Sequence, residues 1–363
     1  MFLEKENGSA FRKFMSIQRN DLTQRRRALV RRRHWVWAGA LLGCFLLSLA
    51  SLLLGAARIP LNAIASSLWA GIHGFVPEGR DGGWYAVIWD IRLPRLVMGA
   101  FAGAALASGG TAMQGVLRNP LASPYTLGIS AAAAFGASFA IVVGFPSLVV
   151  LFAFLSALLS LSLVLFFAWK GRMRAEGLIL SGIAVMYVFS AGTSLLQYLA
   201  THDQLAKIVF WLMGSLSSTT WNHALIVALV TTVVLPCLYG LSWQLNVLTS
   251  GEEEAQSLGT DPRKIRGMAI VLVTLMTAVV VSYTGVIGFI GLAGPHIARL
   301  LFGSDHRIAL PSSALFGAAL LIFSDTMSRT VLGNTEIPVG IMTSLVGVPV
   351  LVSILAHRQR TNA

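Results

Sequence analysis

Long stretches without a charged side chain dominate this sequence. Asp, Glu, Lys and Arg are absent from residues 34–57, 96–117, 119–169, 177–202, 208–251, 267–298 and 337–357. A helix needs about 20 apolar residues to cross a bilayer, so each interval can hold one span and the longest can hold two. Backbone groups in hydrocarbon must be hydrogen-bonded within their own segment, which favours a helix bundle.

These intervals predict an all-α polytopic membrane protein with about ten transmembrane helices. The composition agrees, because 55% of the residues are hydrophobic and only 12% are charged, about half the charged share of soluble domains. The predicted spans cover roughly residues 35–57, 94–117, 124–143, 147–169, 175–199, 222–241, 265–286, 291–303, 308–330 and 338–356.

Positive charge is concentrated before the first span. Residues 1–33 carry ten basic side chains against three acidic ones, and the whole chain has a net charge of +12. Basic residues beside a span mark the cytoplasmic side, so both termini are predicted to be cytoplasmic. A nucleic-acid role for this tail is disfavoured, because its RRRH run directly abuts the apolar helix, where anionic lipid is the nearer partner.

We therefore divide the chain into three parts. Residues 1–33 are a basic cytoplasmic tail, residues 34–357 a ten-helix domain, and residues 358–363 a cytoplasmic C-terminal tail. Within the helical domain, residues 115–130 read GVLRNPLASPYTLGIS and predict a stop after Arg118 and a restart at Pro124, with Ser123 as the N-cap. This segment alone is compatible with a simple helix hairpin.

The largest ordered loop predicted on the cytoplasmic side covers residues 242–266, SWQLNVLTSGEEEAQSLGTDPRKIR. Ser250 followed by Glu253 fits a capping box, and three consecutive glutamates in the first helical turn suit the helix dipole. Gly259 is predicted to end this helix, and Asp261 with Pro262 to begin the next. An amphipathic helix resting on lipid is the alternative, but three glutamates favour a protein partner.

Two arginines, Arg92 and Arg95, flank Pro94 at the predicted outer end of the second span. One interpretation is interfacial snorkelling, in which the apolar stem stays in the membrane and the charged group reaches water. The other is that the two guanidinium groups are presented to the carboxylates of a partner.

Five segments in the same order resemble the FecCD-type permease subunits of ATP-driven importers for ferric siderophores, haem and vitamin B12. They are IRLPR, GAALASGGTAMQGVLRNPLASPYTLGIS, LTSGEEEAQSLGTDPRKIR, GFIGLAGPHIARLLFGSDHRIALPSSALFGAALLIFSDTMSR and EIPVGIMTSLVGVPVLVSIL, and they cover most of residues 90–356. The basic tail lies outside this resemblance.

The resemblance implies a fold of ten helices in which helices two to five and seven to ten form an inverted repeat. It also implies a multi-pass inner-membrane protein that pairs with a second permease copy, most simply as a homodimer. Two cytoplasmic ATPase subunits and a periplasmic or lipid-anchored substrate-binding protein would complete the importer. The chain itself is expected to be no enzyme and to need no cofactor or metal, because the partner subunits use the ATP.

Residue roles follow from the same resemblance. Arg92, Arg95 and Arg329 match the outer arginines that receive glutamates of the binding protein. Residues 242–266 match the family's coupling loop, on which the ATPase docks. The docking residues are expected to be Glu252, Glu253, Glu254, Ser257, Gly259, Asp261 and Arg263. Asp325 precedes Arg329 by four residues, so the two side chains share a helix face and can pair.

Other classes of protein fit the sequence less well. An ion-coupled secondary transporter needs ionisable groups near the middle of the bilayer, and this chain has none clearly placed there. An intramembrane metalloprotease would need an HExxH pair, and an ATPase would need a P-loop; neither motif occurs. The GFIGLAGP segment with Pro295 predicts a short or broken helix beside a cavity.

The substrate is the least constrained prediction. Phe210, Trp211 and Met213 follow the fifth span and are candidates for lining a wide path for a bulky chelate, while interfacial anchoring by aromatic residues is an equal alternative. A ferric siderophore is the first expectation, because most of the resembling family carries one. Haem and a corrinoid remain open.

Overall fold

The computed structural model describes residues 33–55, 59–77, 79–170, 174–333 and 335–361. The predicted basic tail, apart from Arg33, therefore lies outside the described residues, as do the last two residues of the predicted C-terminal tail. Contacts divide the chain into residues 1–45 and residues 46–363. In the first unit, the described residues 33–45 are helical.

The described part of the chain is helical and contains no strand. Its α-helices are α1 (Arg33–Leu53), α2 (Leu61–Ile72), α3 (Gly79–Tyr85), α4 (Leu93–Leu117), α5 (Ile129–Val143), α6 (Val149–Lys170), α7 (Ala175–Leu199), α8 (His202–Leu212), α9 (Trp221–Gly240), α10 (Ser242–Ser250), α11 (Glu252–Ser257), α12 (Pro262–Thr284), α13 (Ile290–Phe302), α14 (His306–Thr330) and α15 (Val339–Thr361).

All ten predicted spans coincide with helices, which confirms an all-α polytopic membrane protein. Among the described residues, seven helical segments are long and apolar enough to cross a membrane, and four shorter apolar helices accompany them. The unpredicted helix among these four is α2. The inverted repeat and the cytoplasmic location of both termini stay predictions.

The start of the second span was predicted wrongly. Helical structure does not begin at Pro94 but continues from α3 through a π-helical segment, Ala86–Arg92, into α4. Proline lacks the N–H of a normal helical bond, and the wider turn accommodates it, with the Leu93 N–H donating to the Ile88 carbonyl. A π-bulge of this kind is common at functional positions.

The third span, in contrast, begins later than predicted. Ser123 and Pro124 open a 3₁₀ turn, Pro124–Leu127, and the Ser123 side chain forms no capping bond. Gly128 then adopts φ 75°, which separates the turn from α5.

The short helix predicted around Pro295 is confirmed, because α13 has 13 residues and follows a non-helical stretch at 285–289.

The non-helical backbone before α13 is satisfied by hydrogen bonds from distant residues. The Ile287 carbonyl accepts a bond of 2.8 Å from the Tyr125 hydroxyl, and the Thr284 carbonyl accepts one of 2.8 Å from the Ser215 N–H. Irregular backbone at membrane depth is tolerated where protein groups satisfy it in this way.

Helix α4 is the central element of the second unit. From Ala102 to Leu117 every residue except Ala104 is buried, and the helix contacts α14, α9, α13 and α12. Gly103 lies against Gly317 of α14, and Gly110 lies against Gly291 of α13, so closely that an added Cβ would collide with the facing carbonyl oxygen. Small residues drive helix association in membranes by allowing this approach.

We predict that Gly103→Ala destabilises the protein, whereas Gly99→Ala on the same helix does not. A Cβ at Gly103 meets the backbone of Gly317, but a Cβ at Gly99 meets side chains at ordinary contact distances, the nearest at 3.6 Å. Overpacking of this kind costs about 1–3 kcal/mol. The measurement is the thermal unfolding midpoint in detergent; equal midpoints for the two variants would contradict the close helix contact.

Candidate functional site

Helix α4 connects two polar regions that lie at opposite ends of the bundle. Its 25 residues correspond to a length of about 37 Å. We call the region of Arg92, Arg95, Asp325, Arg329 and Glu336 the arginine end. The region of α10, α11 and the turn after α4 is called the loop end.

At the arginine end, Arg95 bridges two carboxylates. Its Nε donates to Oδ1 of Asp325 at 2.7 Å, and its Nη1 lies 2.9 Å from Oε2 of Glu336. Asp325 also pairs with Arg329, whose Nε lies 3.2 Å from Oδ2, as predicted from their spacing. Both arginines therefore share Asp325, and Glu336 closes the group on its exposed side.

Further hydrogen bonds of this region reach the end of α1. Arg329 donates to the Ser51 hydroxyl at 2.8 Å. Arg92 donates from Nη1 to the carbonyls of Leu52 and Leu53. These carbonyls belong to the last helical turn, where backbone acceptors lack intrahelical partners and where a cation also suits the helix dipole.

The structure brings all three predicted arginines together but buries them. Arg92, Arg95 and Arg329 are 4%, 3% and 8% exposed, and each contacts groups of this chain. Sequence reasoning missed Glu336, whose side chain is 49% exposed. The signal available for it was an acidic residue in the short GNTEIP connection that follows Arg329.

The loop end differs in one detail from the predicted cap. Ser250 is the last residue of α10, and the N-cap of α11 is Gly251, with φ 154° and no side-chain capping bond. The predicted capping box is therefore wrong, because α10 extends through the position that Ser250 would need as a cap. The turn that follows is as predicted: Gly259 has φ 75°, and the Asp261 side chain accepts from the Arg263 N–H at 3.0 Å.

The residues of α11 and its turn divide into outward and inward positions. Glu253, Glu254, Ser257, Asp261 and Arg263 are exposed. Leu258, which the sequence did not single out, is exposed to 64%. Ala255 is fully buried, and Glu252 turns toward Arg266, with Oε1 at 2.7 Å from Nη2. The exposed face thus combines carboxylates with one large apolar side chain.

A second polar group at the loop end clamps α10 to the start of α14. Asn246 accepts from the His306 N–H and contacts its ring Nδ1, both at 2.8 Å, and it donates to Asp305 Oδ1 at 2.7 Å. Partial burial would raise the pKa of Asp305, but the Asn246 amide, the Arg307 N–H and nearby positive charge outweigh it and lower that pKa. No pattern in the sequence indicates that these loop residues meet.

The predicted path residues have unequal environments. Phe210 is 67% exposed and Met213 is 36% exposed, while Trp211 packs against a hydrophobic core cluster. Phe210 is thus the most accessible of the three. The Met213 carbonyl also accepts a bond of 3.1 Å from the Gly340 N–H.

Among the described residues, no group of three or more His, Cys, Asp or Glu side chains is arranged to hold a metal.

Comparison with known proteins identifies the family. Residues 41–357 match the FecCD transport family. The chain is 38% identical to the hemin transport system permease protein HmuU of Yersinia pestis, over 85% of this chain and 93% of that protein. It is also 38% identical to the cobalamin import system permease protein BtuC of Halobacterium salinarum, over 83% of this chain and 80% of that protein.

A solved structure agrees with these sequence relationships. A metal-chelate type ABC transporter in an inward-facing conformation matches with a TM-score of 0.79 and 33% identity, covering 89% of this chain and 99% of that chain. The family consists of permease subunits, which are multi-span membrane proteins and not enzymes themselves. The chain belongs to the FecCD transport family and is a membrane-spanning permease subunit of an ABC importer.

Proposed function

We propose that the chain moves a ferric siderophore across the inner membrane as the permease of an ATP-driven importer. The match to the FecCD family over residues 41–357 carries this proposal. The relatives named for hemin and cobalamin, and the metal-chelate type structure, support a bulky metal chelate as the substrate class. Haem and a corrinoid are the alternatives that these relatives favour.

In this proposal the loop end is cytoplasmic and docks the ATPase. Its exposed acidic residues and Leu258 offer charge together with one large apolar side chain, whose burial against a partner would contribute about 1.5–3 kcal/mol. Two ATPase subunits and a second copy of this chain complete the assembly. Both chain termini then lie in the cytoplasm.

The arginine end faces outward in the same arrangement and receives the substrate-binding protein. Arg92, Arg95 and Arg329 would pair with its carboxylates, which requires some of their present partners to give way. Arg95 is the most direct candidate, because one of its two carboxylate partners, Glu336, is half exposed. Phe210, Trp211 and Met213 are proposed to line the path near this end.

The substrate is tested by uptake into cells that lack the chain and its relatives. We expect plasmid-borne wild type, with its ATPase and binding protein, to restore uptake of a ⁵⁵Fe-labelled siderophore. Uptake should stop when the ATPase is inactivated by mutation. If haem or cobalamin uptake is restored and siderophore uptake is not, the substrate assignment changes to haem or cobalamin. Uptake that continues after ATPase inactivation would contradict ATP-driven import.

Docking at the arginine end is tested with Glu336→Gln and Arg95→Gln. Glu336 occupies the accessible side of Arg95, so removing its charge should tighten binding-protein docking by up to about fivefold, the upper range for an exposed ion pair. Arg95→Gln should weaken docking. The readout is the dissociation constant from surface-immobilised binding protein, measured at two salt concentrations because long-range steering is screened.

The matched control for these variants is Glu253→Gln, which makes the same charge change at the loop end and should leave binding-protein docking unaltered. If neither variant at the arginine end nor added salt changes docking while the protein stays folded, the three arginines have a purely structural role.

A further inference from the structure

One buried cation at the loop end belongs to one helix and contacts two others. Arg266 belongs to α12 and is 1% exposed. Its Nη2 lies 2.7 Å from Oε1 of Glu252 in α11. Its Nε donates to the carbonyl of Val116 in α4 at 3.4 Å. A single rigid guanidinium therefore connects α11 and α4.

The contact with α4 is made where that helix needs a partner. Val116 lies in the last turn of α4, whose carbonyls have no intrahelical donor. Neighbouring carbonyls are used by the turn itself, since Gln114 accepts from the Asn119 N–H and Gly115 accepts from the Arg118 N–H. Arg266 supplies a donor to Val116, directly before the chain leaves the helix at Arg118, which has φ 49°.

The residue of α11 that contacts Arg266 is Glu252, which occupies one of the two inward-facing positions of this helix. Glu252 and Ala255 are three residues apart and therefore share a helix face, and Ala255 is fully buried. Glu253 and Glu254 point to solvent. Three consecutive glutamates thus have different environments, and only the first is paired with the buried arginine.

A cavity of about 510 Å³ adjoins this ion pair and gives the region room to rearrange. Its lining includes Glu252, Arg266, Arg118, Arg174 and Glu176, which come from α11, α12, the end of α4 and the start of α7. Three of these side chains are cationic and two are anionic. Movement of α11 here would change contacts at the end of α4 and the start of α7.

We propose that Glu252 and Arg266 are positioning residues that transmit displacement of α11 to α4 during transport. Glu252 thereby serves as an internal coupling element rather than a contact for the ATPase. The inference rests on the proposed docking of the ATPase at α10 and α11. A buried side chain with bonds to both helices moves them together, whereas contacts through lipid or water would let α11 shift alone.

The test measures how many substrate molecules are transported per ATP hydrolysed. The assembled importer is reconstituted in proteoliposomes as wild type, Glu252→Gln and Asp81→Asn. We expect Glu252→Gln to lower this ratio by about fivefold or more, in the range of measured coupling effects. Asp81→Asn also removes one carboxylate charge, but from an exposed position of α3 outside both the loop end and the arginine end, and it should keep the wild-type ratio.

The ratio is independent of how much complex assembles, so the inference and the docking proposal can fail separately. If wild type binds no ATPase at α10 and α11, the docking proposal fails. If the complex forms and Glu252→Gln keeps the wild-type ratio, the inference fails and the ion pair serves stability alone. A ratio lowered equally in both variants would also overturn the inference.

A second variant covers the case in which Glu252→Gln does not fold. Arg266→Lys keeps the buried positive charge but loses the planar fork that holds two acceptors at once. We expect its ratio to fall by about twofold or more. Spin labels at Ser257 and Arg118, both exposed, supply the structural readout. Their separation should stay constant between nucleotide states in wild type and change in Arg266→Lys; an unchanged separation and ratio in that variant would contradict the proposal.

Discussion

The close approach of helix backbones around α4 is the constraint on which the rest of the structure depends. Lipid tails are as apolar as the helices, so burying apolar surface contributes little to helix association in the membrane. The helices associate instead through close packing of complementary surfaces. Gly103 and Gly110 allow the backbones of α14 and α13 to approach α4 directly. Because this contact sets how α4 and α14 lie against each other, it also determines which of their charged side chains meet.

At both ends of the bundle, buried arginines are paired with carboxylates. Arg95 and Arg329 share Asp325 at one end, and Arg266 pairs with Glu252 at the other. Breaking one partner of a buried pair costs far more than the pair contributes, because the remaining charge stays uncompensated. Any partner that docks at the arginine end must therefore supply charge that replaces what it displaces, which favours carboxylates over neutral groups.

Local signals in the sequence were sufficient for much of the fold. Charge-free intervals located the ten predicted spans, and the Gly259 and Asp261 turn follows from backbone conformation and capping chemistry alone. The failures share a physical cause. Pro94 continues a helix because a π turn absorbs its missing donor, and Ser250 remains in α10. The burial of the arginines could not be foreseen, because Asp325 and Glu336 lie 230 and 241 residues from Arg95 in sequence.

We propose that the two ends of the bundle bind different partners, and site-specific photo-crosslinking can distinguish these partners. A photoreactive amino acid is placed at Ser257 in the loop end and at Thr335 in the arginine end, both exposed, in the assembled importer. We expect Ser257 to crosslink to the ATPase and Thr335 to the substrate-binding protein, with no exchange between them. Crosslinks from Ser257 that reach only lipid, or crosslinks from both positions to the same subunit, would contradict it.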